Sequence, residues 1–152
     1  MIENVQDYSA LACTRKGARR KSDLARLSGR WRVAELPDLA DDYLAETRNP
    51  HVNLTLEKRD LSIQGDYQFG LQSGVMDGEV IQEERRTEAG VVKTVRILFS
   101  FEGNDEMDEV HGYGEAILSE DGRTLTGRMH YHYGDTYRFV WKRLHKRIRS
   151  LQ

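Results

Sequence analysis

His130 and His132 stand two residues apart, a spacing that puts both imidazoles on one side of a β-strand, and His111 and Glu115 fall on the matching side of the preceding strand-like segment. Imidazoles held this way ligate a metal when a third ligand arrives from a neighbouring strand, and a nearby carboxylate can act as a general base. These positions alternate with aromatic ones, so the pattern turns them outward among Arg96, Arg128 and Arg138, where histidines are solvated or lie in an interface and Glu115 pairs with an arginine. Asn104, Asp105, Glu106, Asp108 and Glu109 offer hard oxygen ligands for calcium or magnesium, but their spacing misses the EF-hand loop. Asp77 or Glu79, buried in a barrel, would have a raised pKa suited to acid–base work. The sequence contains no G-x-S-x-G elbow, phosphate-binding loop, dinucleotide glycine signature or C-x-x-C pair. A barrel enzyme or metal site using His111, Glu115, His130 and His132 is therefore an alternative; no catalytic residue, metal or cofactor is assigned.

A second constellation is aromatic. Tyr67, Phe69, Tyr131, Tyr133, Tyr137 and Phe139 share a face, by period-two alternation, with Gly65, Gly112, Gly114, Ala116 and Gly127. Small residues opposite phenols leave room for a partly apolar ligand held by a few hydroxyl groups. The competing expectation is that the glycines permit curvature and the rings interdigitate to fill the core. The preferred assignment is non-enzymatic binding of a small molecule, with Tyr67, Phe69, Tyr131, Tyr133, Tyr137 and Phe139 at the pocket and Trp31 closing its base.

The elements that would position these residues read as an all-β, eight-stranded antiparallel up-and-down barrel. Strand one opens at Gly29-Arg30-Trp31 and stops at Pro37, which cannot supply a ladder hydrogen bond. Asp38 is expected to cap a short helix over Leu39–Glu46, placed as a lid. Further strands are expected over Val52–Leu56, Leu61–Phe69, Val75–Glu84, Val91–Phe101, Val110–Ser119, Thr124–Tyr133 and Thr136–Arg143, with a reversal over Arg85–Gly90. The domain reading is a basic arm with a possible short helix over 1–28, the barrel over 29–143 and a basic tail over 144–152. A two-layer sandwich is the competing architecture.

Gly29-x-Trp31 on the first strand, a helical lid after it, a meander and basic residues after the last strand resemble the calycin superfamily of lipocalins, fatty-acid-binding proteins and avidins. The resemblance implies a ligand-binding barrel whose first-strand tryptophan closes one end beneath a late arginine, here Arg143 or Arg147. Phe99–Glu109, FSFEGNDEMDE, and His132-x-Gly134-Asp135 are similar to segments of uncharacterised bacterial proteins, and that likeness implies no activity.

In such a meander the lid, Gly70–Gly74, Gly103–Glu109 and Gly134-Asp135 share one rim. That rim is acidic, with Asp105, Glu106, Asp108 and Asp135 prominent, and would attract a basic protein partner through its summed field. Arg15–Lys21 and the residues around Arg147 make the other end basic, but a short basic segment without interleaved aromatics or a second helix makes nucleic acid an unlikely partner. Leu98, Tyr113, Ile117 and Val140 on the outer face suggest a homodimer surface. The 152 residues carry a formal charge of −2 and 38% hydrophobic residues, which suits one domain with a core and excludes a membrane-spanning helix. Met1–Lys21 lacks an apolar signal-like centre and Cys13 has no intrachain partner, so the expected compartment is cytoplasmic.

Overall fold

Apolar alternation becomes a closed antiparallel barrel in the computed structural model, which describes residues 24–144. Strands β1 (Gly29–Glu35), β2 (His51–Glu57), β3 (Ser62–Phe69), β4 (Gln72–Thr87), β5 (Gly90–Asp105), β6 (Asp108–Leu118), β7 (Thr124–Tyr131) and β8 (Thr136–Arg143) pair in chain order. β1 closes on β8 with Trp31 opposite Arg143 and Val33 opposite Trp141. Closure removes the open sheet edges that a two-layer sandwich would keep. No helix among the described residues is long and apolar enough to cross a membrane.

The inner face is an aromatic column. Trp31, Tyr67, Phe69, Phe99, Phe101, Tyr131, Phe139 and Trp141 are all buried, and all but Trp31 make ring contacts within the group, among them Phe139 on Trp141 at 4.1 Å, Phe101 on Tyr131 at 4.9 Å and Tyr67 on Phe69 at 5.4 Å. The inward glycines serve this packing rather than leaving a void. A Cβ on Gly127 would overlap the carbonyl oxygen of Glu115 on β6, and one on Gly114 would overlap the ring of Phe99. The glycines let neighbouring backbones and rings approach, and large and small inward residues alternate to fill the lumen.

Three segments depart from the sequence expectation. The lid helix, α1 (Asp41–Leu44), is shorter than Leu39–Glu46, and Asp38 does not cap it; its carboxylate instead accepts hydrogen bonds from the Arg138 backbone N–H at 2.9 Å, Nε at 3.1 Å and Nη2 at 2.8 Å. A bidentate guanidinium outcompetes one turn of backbone N–H groups. The presumed acidic loop over Gly103–Glu109 is mostly ladder: Asp105 pairs with Gln72 and with Asp108, leaving a turn only at Glu106-Met107. Polar composition suggests a loop there, but pairing to β4 overrides it.

The third departure is the β4–β5 hairpin. β3 covers β4 only from Gln72 to Glu79, and β6 covers β5 only from Arg96 to Asp105, so the remainder continues as a two-stranded ribbon. Arg85 and Arg86, expected in a turn, lie within that ribbon opposite Val92 and Val91. Lys93–Glu84 at 3.3 Å and Arg96–Glu83 at 3.2 Å bridge its strands. With little apolar burial, ribbon amides from Gln82 to Thr94 are expected to exchange roughly tenfold or more faster than those of Phe99 and Met129. Equal protection in hydrogen-exchange mass spectrometry would contradict this.

One end of the barrel is sealed. Trp31 is fully buried and donates its Nε1–H to the Leu27 carbonyl at 3.1 Å, while the Arg143 guanidinium lies 5.6 Å from the Trp31 ring and bonds the Arg26 carbonyl. Leu27, within the segment read as part of the arm, is itself a core residue. Cys13, Arg15–Lys21 and Arg147 lie outside the described residues.

Candidate functional site: the tyrosine mouth

The opposite end gathers the β1–β2 segment with α1, the β3–β4 turn, the β5–β6 turn and the β7–β8 turn. Gly70 holds a positive φ of 58° in the β3–β4 turn, where the Tyr43 ring fills the space a side chain would take. This contact brings α1 across the barrel end, and Thr47 fastens it by donating its hydroxyl to the Gly70 carbonyl. On its other side the lid hangs on Asp38 and Arg138. The Arg138 guanidinium beside it holds the Asp38 carboxyl down at about 2.

That lowered value gives the anchor a pH signature. Its contribution is complete above the ordinary carboxylate range near pH 4 and is lost as pH falls through about 2. Asp38→Asn should therefore speed exchange of the Arg138 amide at neutral pH and remove the acid-dependent loosening of the lid. An unchanged amide exchange rate in NMR would sever this link.

Beneath the lid, Gln72 is a buried polar side chain in the apolar column. Its Oε1 accepts the Tyr131 hydroxyl at 2.6 Å and its Nε2 donates to the Tyr43 hydroxyl at 3.2 Å. The Tyr131 ring packs against Tyr133, stacked at 5.3 Å, and against Tyr137, also at 5.3 Å and tilted by 60°. Tyr137 donates its hydroxyl to Asp135 at 3.2 Å. Burial, reinforced by neighbouring phenols and by Asp105 or Asp135, pushes the Tyr43, Tyr67, Tyr133 and Tyr137 hydroxyls upward; Tyr131 rises through burial and its phenolic neighbours. These phenols therefore remain protonated donors at neutral pH.

Tyr67 differs from the others. It is 2% exposed, and its hydroxyl has no hydrogen-bond partner among the described residues. The group lies over Gly74, where a Cβ would stand 2.6 Å from the oxygen, one inward rung below the Gln72–Asp105 pair. A buried hydroxyl without a partner costs about 1–3 kcal/mol relative to a satisfied one.

The expected pocket residues thus divide by depth. Trp31 belongs to the sealed base, Phe139 is buried packing, and Phe69 is buried opposite Gln72, one inward rung nearer the mouth than Tyr67. Tyr67 and Tyr131 lie just below the mouth, and Tyr137 is partly buried at it. Tyr133 is 50% exposed and lies beyond the end of β7, in the β7–β8 turn rather than on the inner wall. Asp105, Glu106, Asp108 and Asp135 all stand at this end. Tyr43 and Gln72 were not picked out from the sequence as pocket residues; the signal for Gln72 was a polar residue directly after the Gly70 turn, in phase with Gly74 and Met76.

The other candidates do not assemble. His111 and His132 stack face to face at 3.9 Å, His130 stacks on Tyr113 at 4.7 Å, and Glu115 pairs with Arg128 at 3.5 Å. All lie on the outer wall. Among the described residues no group of three potential ligands could hold a metal ion, for these histidines or for Asn104–Glu109. Asp77 and Glu79 are exposed on the outer wall, because Met76, Gly78 and Val80 take the inner phase, so neither is a buried acid. Leu98 and Val140 are partly buried on that wall, and Tyr113 and Ile117 are exposed there. No protein-family model matches the chain, and no curated protein matches it either.

Proposed function

We propose that this barrel binds a small, partly apolar molecule at its tyrosine-lined mouth. The carrying observation is that Tyr43 and Tyr131 meet on Gln72, with Tyr133 and Tyr137 packed on the Tyr131 ring, above a Tyr67 hydroxyl buried without a partner. Ligand sites are mostly apolar with a few oriented polar groups, and this end of the barrel supplies both. The packed column below acts as a rigid floor: Phe139 and Trp31 support the site without touching the ligand, while Phe69 packs opposite Gln72 at the level of the mouth. A calycin-type relationship, supported by Trp31 beneath Arg143 at the sealed end, fits the same reading.

Native mass spectrometry over small aromatic and aliphatic metabolites tests it, with Tyr133→Ala beside the unaltered protein. Tyr133 is half exposed, so its truncation should spare the fold. An adduct that the variant loses supports the proposal. No adduct with any compound, or equal adducts in both proteins, contradicts it.

A second reading is a basic protein segment docking on the rim. It is favoured by Asp105, Glu106, Asp108 and Asp135, which make no ion pair among the described residues. An oligolysine peptide would then bind with an affinity that falls steeply with salt and is indifferent to Tyr133→Ala.

A further inference from the structure

The ligand's charge follows from what a bound molecule would cover. Asp105 faces inward from the last rung of β5, opposite Gln72, and its charge helps to push the Tyr43, Tyr67, Tyr133 and Tyr137 hydroxyls upward. Asp135 sits on the other margin with the Tyr137 hydroxyl. Neither carboxylate has an ion pair among the described residues, and the nearby Arg138 guanidinium is committed to Asp38. A neutral molecule seated over these groups would strip water from a carboxylate and return nothing for it. An anion would add repulsion.

Two further features favour a cation. Tyr133 and Tyr137 both pack on Tyr131, and the half-exposed Tyr133 ring presents π surface at the mouth, where a cation is attracted by the ring quadrupole. The Tyr67 hydroxyl, 2% exposed and without a partner, is an oxygen still able to accept an N–H from below the same space. Acidic residues alone would describe a solvated rim. The unpartnered hydroxyl beneath them supplies an independent reason to place a ligand donor there.

Building on the ligand-binding reading, we propose that the mouth selects an organic ammonium: a charged –NH3+ group held by Asp105 and Asp135 against the Tyr131–Tyr133–Tyr137 rings, carried on an apolar body that packs under α1. Asp105 compensates the charge, Tyr67 accepts an ammonium N–H, and the rings cover the adjoining carbons.

Three probes of one shape, benzylammonium, benzyl alcohol and benzoate, are titrated into the full chain by ligand-observed NMR. Benzylammonium should bind about tenfold or more tightly than either of the others, a preference worth about 1.4 kcal/mol or more, and raising salt from about 0.05 to about 0.5 M should erode it. Asp105→Asn should abolish the preference by weakening benzylammonium, while benzyl alcohol should bind no less tightly because the carboxylate it would desolvate is gone. Asp135→Asn, at an exposed turn, provides the same comparison should Asp105→Asn fail to fold by circular dichroism. Equal binding of all three probes, insensitive to either variant, overturns the charge assignment and leaves the ligand-binding reading in place. Binding by none of the three overturns the ammonium assignment, and the ligand-binding reading is then decided by the metabolite panel.

Discussion

Replacing Gly127 by valine is expected to prevent the barrel from closing. The first carbon of any side chain there would overlap the Glu115 carbonyl oxygen, a backbone atom on the paired strand, with the Ala116 Cα close behind. Backbone atoms fixed in a ladder cannot rotate aside as a side-chain tip can. The strands must part, which breaks β6–β7 pairing and exposes the Phe139–Trp141 stack behind it. Overpacking in a yielding core costs about 1–3 kcal/mol, and a rigid contact should exceed that, a large share of the roughly 5–15 kcal/mol that keeps a domain folded. Circular dichroism and size-exclusion chromatography should show an unfolded or aggregated product. A monomer that melts like the unaltered protein would mean that Gly127 does not hold the two strands at close approach.

Trp31→Ala comes next in size. Trp31 is completely buried, lies under Arg143 and hydrogen-bonds the Leu27 carbonyl, so truncation removes a ring, an indole donor and the surface on which the guanidinium rests. Loss of a buried tryptophan costs about 3–5 kcal/mol, enough to lower Tm by roughly 10 °C or more in a domain of this size. Arg143→Ala should cost less, because the cation–π contact contributes only about 0.5–2 kcal/mol and the ring stays buried. Thermal unfolding of both variants gives the order directly; an Arg143→Ala loss equal to that of Trp31→Ala would put the seal's strength in the guanidinium rather than in the ring.

The barrel is legible in the sequence because its inner phase is unbroken. Val95 to Phe101, Val110 to Leu118 and Leu125 to Tyr131 alternate without a fault, which marks strands with one buried face; closure into a barrel rather than a sandwich rests on the β1–β8 pairing. The same pattern misleads at strand ends. It carries Tyr133 inward, although the chain turns after Tyr131, where Gly134 N–H bonds the Tyr131 carbonyl at 2.8 Å. It also stops β5 at Phe101, because Asn104 and Asp105 have weak strand preference, whereas pairing across to Ser73 and Gln72 keeps them in the sheet.

The glycines show a different limit. A sequence says that residues 112, 114 and 127 have no side chain, and both a pocket and a tight approach satisfy that observation. Only the position of the neighbouring carbonyl or ring decides, and it decides for close packing. The mouth depends likewise on distant partners. Gln72 and Tyr131 are separated by 59 positions, and Asp38 and Arg138 by 100, so no local pattern links them. The acidic rim was visible as composition; its placement over five tyrosines required the barrel's register.

The central claim is that binding occurs at the tyrosine mouth, above a filled lumen and away from the outer wall. Chemical-shift mapping during titration with benzylammonium tests this most directly, since displaced aromatic rings shift only nearby nuclei. The account predicts changes at Tyr43, Gln72, Asp105, Tyr133 and Tyr137, with the Trp31 and Trp141 indole signals unmoved. Changes centred on Trp141 and Phe99, or on His111 and His130, would contradict it.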